Sequence, residues 1–469
     1  MPFAATGGLG DVMGSLPAAI KAKEKNNVDV RVVLPLYGMV NDEWRAQMKD
    51  EAVFNVSLSW RNIYCGVKSL QKDGVTYYFI DNEYYFKRGA LYGFFDDGER
   101  YAYFCKAVLE MLIKLDFYPD VIHANDWQSA LTVVYLNTKY RYVEGFANTR
   151  SVFTIHNIEY QGKYDFSILG DVFDMGPEYY ALMRYDDCIN LMKAAIECAD
   201  MVSTVSERYA EEIKTPEYSH GLYHVLYRNA QKLTGILNGI DYVYYNPSKD
   251  NVLAKNYDRR NFVSGKAENK MALQREYGLP ERADVPMLAI ISRLATHKGL
   301  DLVKAVADSV VSQNDVQFVI LGKGEEQYET FFSDLEKRYP DKVKTLLTYN
   351  RDLSKKIYAA CDIFIMPSKS EPCGLSQMIA SRYGAVPVVR ETGGLADSIK
   401  GYWVDNGEIK GNGFTFANYS PFELEDRINA AIALYGDRAQ NKKFVSKIMG
   451  TDFSWTVSAE RYMEMFNSL

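Results

Sequence analysis

Short β-branched and aromatic runs alternate with longer helical patterns along this chain, and midway the alternation breaks off and starts again. A chain patterned this way folds as parallel sheets wrapped by helices, since parallel neighbours need long crossover connections. In the first half the expected strands are Asp29 to Leu36, Thr76 to Ile80, Val121 to Ala124, Ser151 to Ile155 and Met201 to Val205. Helical apolar spacing marks Ala102 to Leu115 and Ser129 to Tyr140, and Ser206 is placed to cap a helix from Glu207 to Ile213. In the second half, strands Met287 to Ser292, Val316 to Leu321, Val343 to Leu347, Ile363 to Met366 and Val386 to Arg390 alternate with helices near 299–312, 325–338, 353–360, 375–383 and 422–435. The stretch 235–262 lacks clear periodicity.

The expected fold is therefore α/β, two doubly wound Rossmann-like domains facing each other across a cleft. Residues 1–240 form the first, 241–452 the second, and 453–469 a terminal helix that packs on its own domain or crosses back to the first. A near-repeat supports two related halves: Thr6 to Asp11 reads TGGLGD and Thr392 to Asp397 reads TGGLAD.

Composition narrows the function classes. Charged residues are 25% and apolar residues 47% of the 469, which excludes a disordered chain. With 54 basic and 61 acidic residues the net charge is −7, so no global positive field recruits nucleic acid or an anionic membrane surface. Six scattered cysteines without a CxxC pair, and only five histidines, suggest neither a zinc site nor a disulfide framework, and no metal is expected. The expected setting is a reducing cytoplasm. The 36 tyrosines fit either sugar-stacking surfaces or half-buried strand positions.

Six segments carry candidate chemistry: both TGGL loops lie at a transition into a helix, and the other four follow a strand end. The two TGGL loops allow close backbone approach, and N–H groups at a helix start suit a diphosphate. ISRLATHKG puts Arg293 at a strand end and Lys298 five residues on, so both cations could reach one pyrophosphate; alternatively they are solvated loop charges. PSKSEPCGLSQ places Glu371 on a loop before a helix, to meet sugar hydroxyls or a developing positive charge, or merely to complement the helix dipole. His156 and Asn157 end one strand, and Asp126 lies beyond another, either as a ligand contact or as a helix cap.

Together, TGGLGD, HANDWQ, TIHNIEYQG, LNGID, ISRLATHKG, PSKSEPCGLSQM, RETGGLAD and a closing DFSW resemble the bacterial glycogen synthase and plant starch synthase family, retaining glycosyltransferases of GT-B architecture. The likeness runs in order over nearly the whole chain. It implies transfer of glucose from ADP-glucose to the nonreducing 4-OH of an α-1,4-glucan, without a cofactor or metal. It implies catalytic roles for His156, Arg293, Lys298 and Glu371. It also implies nucleotide-sugar contacts from Gly8, Asp11, Asn157, Asn238, Tyr349, Cys373, Gly374, Leu375, Thr392, Gly393 and Gly394, with Tyr349 stacking on the base and Asp126 positioning sugar or acceptor. The partners it implies are a nucleotide sugar and a glucan.

Two departures from the family pattern stand out. Ala5 occupies the position where the family often has Lys before TGGL, and the five residues before Thr6, with Pro2 second, are too short for the apolar central strand that usually leads into that loop. Two other readings stay open: another retaining GT-B glucosyltransferase using UDP-glucose or a small acceptor, and a catalytically impaired glucan- or nucleotide-sugar-binding protein.

Overall fold

The computed structural model describes residues 3–4, 7–25 and 27–469. Ala5 and Thr6, on which the first-loop departure was read, lie outside the described residues, as do Met1 and Pro2. The chain divides into two units: Met1–Ile236 with Trp455–Leu469, and Leu237–Ser454.

The first unit holds two four-stranded sheets. In one, Arg31–Pro35 pairs in parallel with Val75–Asp81, which continues antiparallel through Arg61–Lys72 to Lys49–Leu58. In the other, Val121–Asn125, Arg150–Ile155, Met201–Thr204 and Leu233–Gly235 run parallel in that order. Among the described residues no strand precedes the helix Gly8–Glu24, and Arg31–Pro35 and Val121–Asn125 are edge strands of their sheets. That helix buries Val12, Leu16 and Ile20 in a cluster with Val152, Ile236, Trp455, Ala459 and Tyr462, so the C-terminal helix Trp455–Asn467 shares a core with the first one. Lys23 pairs with Glu460 and Arg461 with Glu207, on the rim of that core.

The hairpin Lys49–Leu58 and Arg61–Lys72, absent from the expected strands, contains the two longest strands in the protein. One face of Lys49–Leu58 is solvated, with Val53, Asn55 and Ser57 exposed and Val56 and Leu58 buried. Such an alternating pattern lacks the continuous apolar run that marks a strand covered on both faces.

The second unit is a six-stranded parallel sheet in the order Val343–Leu346, Gln317–Leu321, Met287–Ile291, Ile363–Met366, Val386–Arg390, Phe414–Phe416. Gln317–Leu321 and Ile363–Met366 are buried throughout, which explains their legible apolar runs. Chain order reverses between Met287–Ile291 and Ile363–Met366, and the loops beyond the carboxyl ends of such a pair form the ligand crevice of an open α/β sheet. The helix Phe262–Tyr277 buries Lys266, Asn269, Lys270 and Gln274 alongside Phe262 and Leu273, so its inner face is mostly polar. Lys266 Nζ donates to the carbonyls of Tyr358, Ala359, Cys361 and Tyr383, and Lys270 pairs with Asp362 at 2.5 Å.

Candidate active site

In the second unit, the strand Met287–Ile291 leads through Arg293 into a short turn, Thr296–Lys298, that closes on Gly299. Gly299 has φ 73°, and a Cβ there would sit 2.0 Å from the carbonyl oxygen of Pro367. Only glycine allows this loop to lie against the one following Ile363–Met366. The two loops are further tied by Lys369 N donating to His297 O at 2.9 Å.

That approach brings together two of the predicted residues. Lys298 Nζ donates to Glu371 Oε2 at 2.7 Å, and Ser368 Oγ donates to the same oxygen at 3.0 Å. Both charged side chains are largely buried, at 17% and 9% exposure. Arg293 stays on the exposed rim, its Nη2 3.4 Å from His297 Nε2.

After Glu371 the chain turns at Gly374, φ 70°, into the helix Ser376–Arg382. The amides of Gly374 and Leu375 donate to no acceptor among the described residues. Gln377 Nε2 holds the turn from beneath through Gly374 O, Cys373 O and Ser398 Oγ. Asn238 is buried behind the same turn, as is Cys373, whose thiol burial pushes up to about 12. Asn238 Oδ1 is buried and has no hydrogen-bond partner among the described residues, an unsatisfied acceptor at the back of the loop.

The second TGGL loop packs directly on this turn. A Cβ on Gly393 would meet Glu371 O at 2.0 Å and one on Gly394 would meet Cys373 O at 2.1 Å, while Gly394 N donates to the carbonyls of Glu371 and Pro372. Thr392 is buried just before them. Tyr349, on the loop after Val343–Leu346, is 81% exposed.

In the first unit, Asp126 has φ 57°, an uncommon backbone for a residue with a side chain. It does not cap the helix Trp127–Tyr135. Instead Asp126 Oδ1 accepts from the backbone N–H groups of His156 at 2.8 Å and Asn157 at 3.4 Å, across from the neighbouring strand end. Burial pushes the Asp126 carboxyl up to about 7, against the pull of those two donors. Burial, with a further contribution from His123, holds the His156 imidazole down at about 3, so it is neutral at physiological pH. Asn157 Oδ1 accepts from Glu159 N at 3.0 Å.

Gly8 begins the helix Gly8–Glu24, with Asp11 in its first turn, and a Cβ on Gly8 would meet nothing within 4 Å. Among the described residues the two glycine pairs therefore differ: Gly393 and Gly394 pack against backbone, while a Cβ on Gly7 or Gly8 would meet nothing within 4 Å.

Sequence reasoning did not single out Ser368 or Asn125. Ser368 stands three residues before Glu371, a spacing that could have flagged it as the carboxylate's local donor; Asn125 hydrogen-bonds His156, a contact visible only once the two strands are aligned.

Comparison with known proteins agrees along the full length. The family described as the starch synthase catalytic domain matches residues 1–228, and the family described as glycosyl transferases group 1 matches residues 276–447. Glycogen synthase from Clostridium botulinum (strain Alaska E43 / Type E3) is 45% identical over 100% of this chain and 97% of its own length. That of Ligilactobacillus salivarius (strain UCC118) is 45% identical over 100% and 98%. The catalytic domain of starch synthase IV from Arabidopsis thaliana, solved bound to ADP and acarbose, superposes with a TM-score of 0.88 at 34% identity, over 100% of this chain and 97% of that one. Sucrose-phosphate synthase from Thermosynechococcus elongatus, at 16% identity and a TM-score of 0.59, shares the fold. With its sheets, its loops and its full-length relatives in agreement, the chain belongs to the glycogen synthase and starch synthase family, glycosyltransferases built on two Rossmann-like units.

Proposed function

We propose that this chain transfers glucose from ADP-glucose to the nonreducing 4-OH of an α-1,4-glucan, with retention at the anomeric carbon. The observation that carries the reading is the Lys298–Glu371 pair beside the unengaged amides of Gly374 and Leu375, at the reversal point of a parallel sheet. ADP is bound in the starch synthase IV structure, which supports the adenine nucleotide as donor.

Departure of a nucleoside diphosphate builds negative charge on phosphate and positive character on the sugar. Arg293 and Lys298 meet the first. An ammonium has three donors, and the contact with Glu371 occupies one. Glu371 faces the sugar, the Gly374 and Leu375 amides serve as oxygen donors, and Gly393 and Gly394 hold the turn in place. Thr392, Cys373 and Asn238 back that turn. Tyr349 offers an exposed ring to the base. On the first unit, Gly8, Asp11, Asp126, His156 and Asn157 bind sugar hydroxyls of donor or acceptor.

A covalent route needs a carboxylate free to attack, and Glu371 is held by Lys298 and Ser368. We therefore favour attack on the same face, the acceptor oxygen forming the new bond as the bond to phosphate breaks and its proton passing to the leaving phosphate. All six cysteines are free thiols, in keeping with a cytoplasmic setting, and among the described residues no helix is long and apolar enough to cross a membrane.

The test is transfer from ADP-glucose and from UDP-glucose, each with and without glycogen primer. Primer-dependent transfer with ADP-glucose preferred is expected. Equal transfer without glucan, or a preference for UDP-glucose, overturns the assignment, and binding without turnover makes the chain a nucleotide-sugar-binding protein.

A further inference from the structure

We infer that Asn125 is a positioning residue that fixes which nitrogen of His156 carries the proton, and so makes the ring an acceptor for a sugar hydroxyl. The inference rests on the proposed glucosyl transfer for its consequence, but on geometry alone for the proton.

Asn125 ends the strand Val121–Asn125, paired with Thr154 on the strand that delivers His156. Its Oδ1 lies 2.9 Å from His156 Nε2. A contact between an amide and an imidazole has two solutions: the amide nitrogen donates to a bare ring nitrogen, or a ring N–H donates to the amide oxygen. The other end of the amide decides between them. Asn125 Nδ2 faces the carbonyl oxygen of His123 at 3.4 Å, and a carbonyl only accepts. The nitrogen must face His123, the oxygen must face His156, and His156 Nε2 must carry the proton.

Both residues are pinned by their backbones, so the contact is not incidental. Ser129 Oγ accepts from Asn125 N at 2.6 Å and donates to Asn125 O at 2.7 Å, while Asp126 Oδ1 holds His156 N. Burial keeps the ring neutral. A neutral ring protonated on Nε2 has a lone pair on Nδ1, and no hydrogen bond among the described residues uses that atom. A lone pair there accepts from a hydroxyl and repels a phosphate oxygen. Asn125 thus dedicates this end of the first unit to the sugar.

The experiment uses the full chain with ¹⁵N-labelled histidine, in which five imidazoles must be resolved, assigned for His156 by comparison with His156→Gln. Long-range proton–nitrogen correlation should show His156 protonated on Nε2 alone. Asn125→Leu should give a mixture of tautomers and lower kcat at least tenfold with little change in KM for ADP-glucose. Asn125→Asp should keep the Nε2 proton but stabilise the imidazolium, so that activity falls as pH is lowered, steeply where the wild type is flat. The other titratable groups near this ring are His123 on the same strand as Asn125, Asp126, and Tyr209, whose hydroxyl accepts from Ile158 N. A wild-type His156 protonated on Nδ1 overturns the inference whether or not any variant folds, as does an Asn125→Asp pH profile parallel to the wild type. If the wild type transfers nothing from ADP-glucose, the functional reading falls while the nitrogen spectrum still decides this one.

Discussion

Lys298 Nζ and Glu371 Oε2 are 2.7 Å apart on loops that follow two adjacent strands, and Ser368 reinforces the same oxygen. The pair joins a residue assigned to the leaving group with one assigned to the sugar. Glu371→Gln should lower kcat by about 10²–10³, the range for losing one preorganised electrostatic contact. Lys298→Met should lower activity at least as far and destabilise the second unit by about 1–3 kcal/mol, because it leaves a buried carboxylate with Ser368 alone. The double variant should be more stable than the sum of the single losses predicts. Additive stability losses in urea titrations would show that the two side chains do not interact.

The two TGGL loops predict opposite outcomes for one kind of substitution. Gly394→Ala forces a Cβ to within 2.1 Å of Cys373 O, so it should destabilise the second unit by about 1–3 kcal/mol and abolish transfer together. Gly8→Ala adds a Cβ that meets nothing within 4 Å among the described residues, and should leave the melting temperature within about two degrees while raising KM or lowering kcat. Scanning calorimetry beside steady-state kinetics separates these; a Gly8→Ala enzyme of unchanged kinetics would remove the first loop from the site.

That contrast also marks how far the residues alone could be read. The strand ends carrying Arg293, Glu371 and His156 were legible because buried parallel strands are written as unbroken apolar runs. The hairpin of Lys49–Leu58 and Arg61–Lys72 was not, since one face is solvated. The helix Phe262–Tyr277 was hidden for a different reason: between Phe262 and Leu273 its buried face is interrupted by Lys266, Asn269 and Lys270, which bond to carbonyls and to Asp362. For Asp126 the sequence allows a ligand contact or a helix cap, but capping is local and the contact this side chain makes is not. Its partner amides are 30 and 31 residues away.

Tyr349 exposes most of its side chain, and among the described residues its hydroxyl accepts only from Arg351 Nε, at 3.2 Å. A ring so placed has nothing to stabilise in the free protein. Tyr349→Ala should leave thermal stability within about 0.5 kcal/mol and raise KM for ADP-glucose several-fold with kcat nearly intact. Isothermal titration with ADP alone should show the same loss, and an unchanged ADP affinity would exclude stacking on the base.

Asp126 gives a pH dependence whose sign is fixed. Its carboxyl, ordinarily near 3.8, is pushed up to about 7 in the folded chain by burial. Between those values the folded protein holds a proton that the unfolded chain has released, so stability falls as pH rises through the window, and above about 7 the full cost of a buried charge remains. Asp126→Asn removes the titration, keeps an oxygen to accept from His156 N, and puts a side chain of the same size and branching on the strained backbone that Asp126 already holds at φ 57° and ψ 177°. The variant should therefore gain on the wild type from pH 5 to pH 8, by roughly 2–3 kcal/mol across that range. Urea midpoints measured side by side at intervals of one pH unit check this. Parallel midpoints would mean that Asp126 is ionised throughout, and that its hold on His156 and Asn157 is that of a permanent carboxylate.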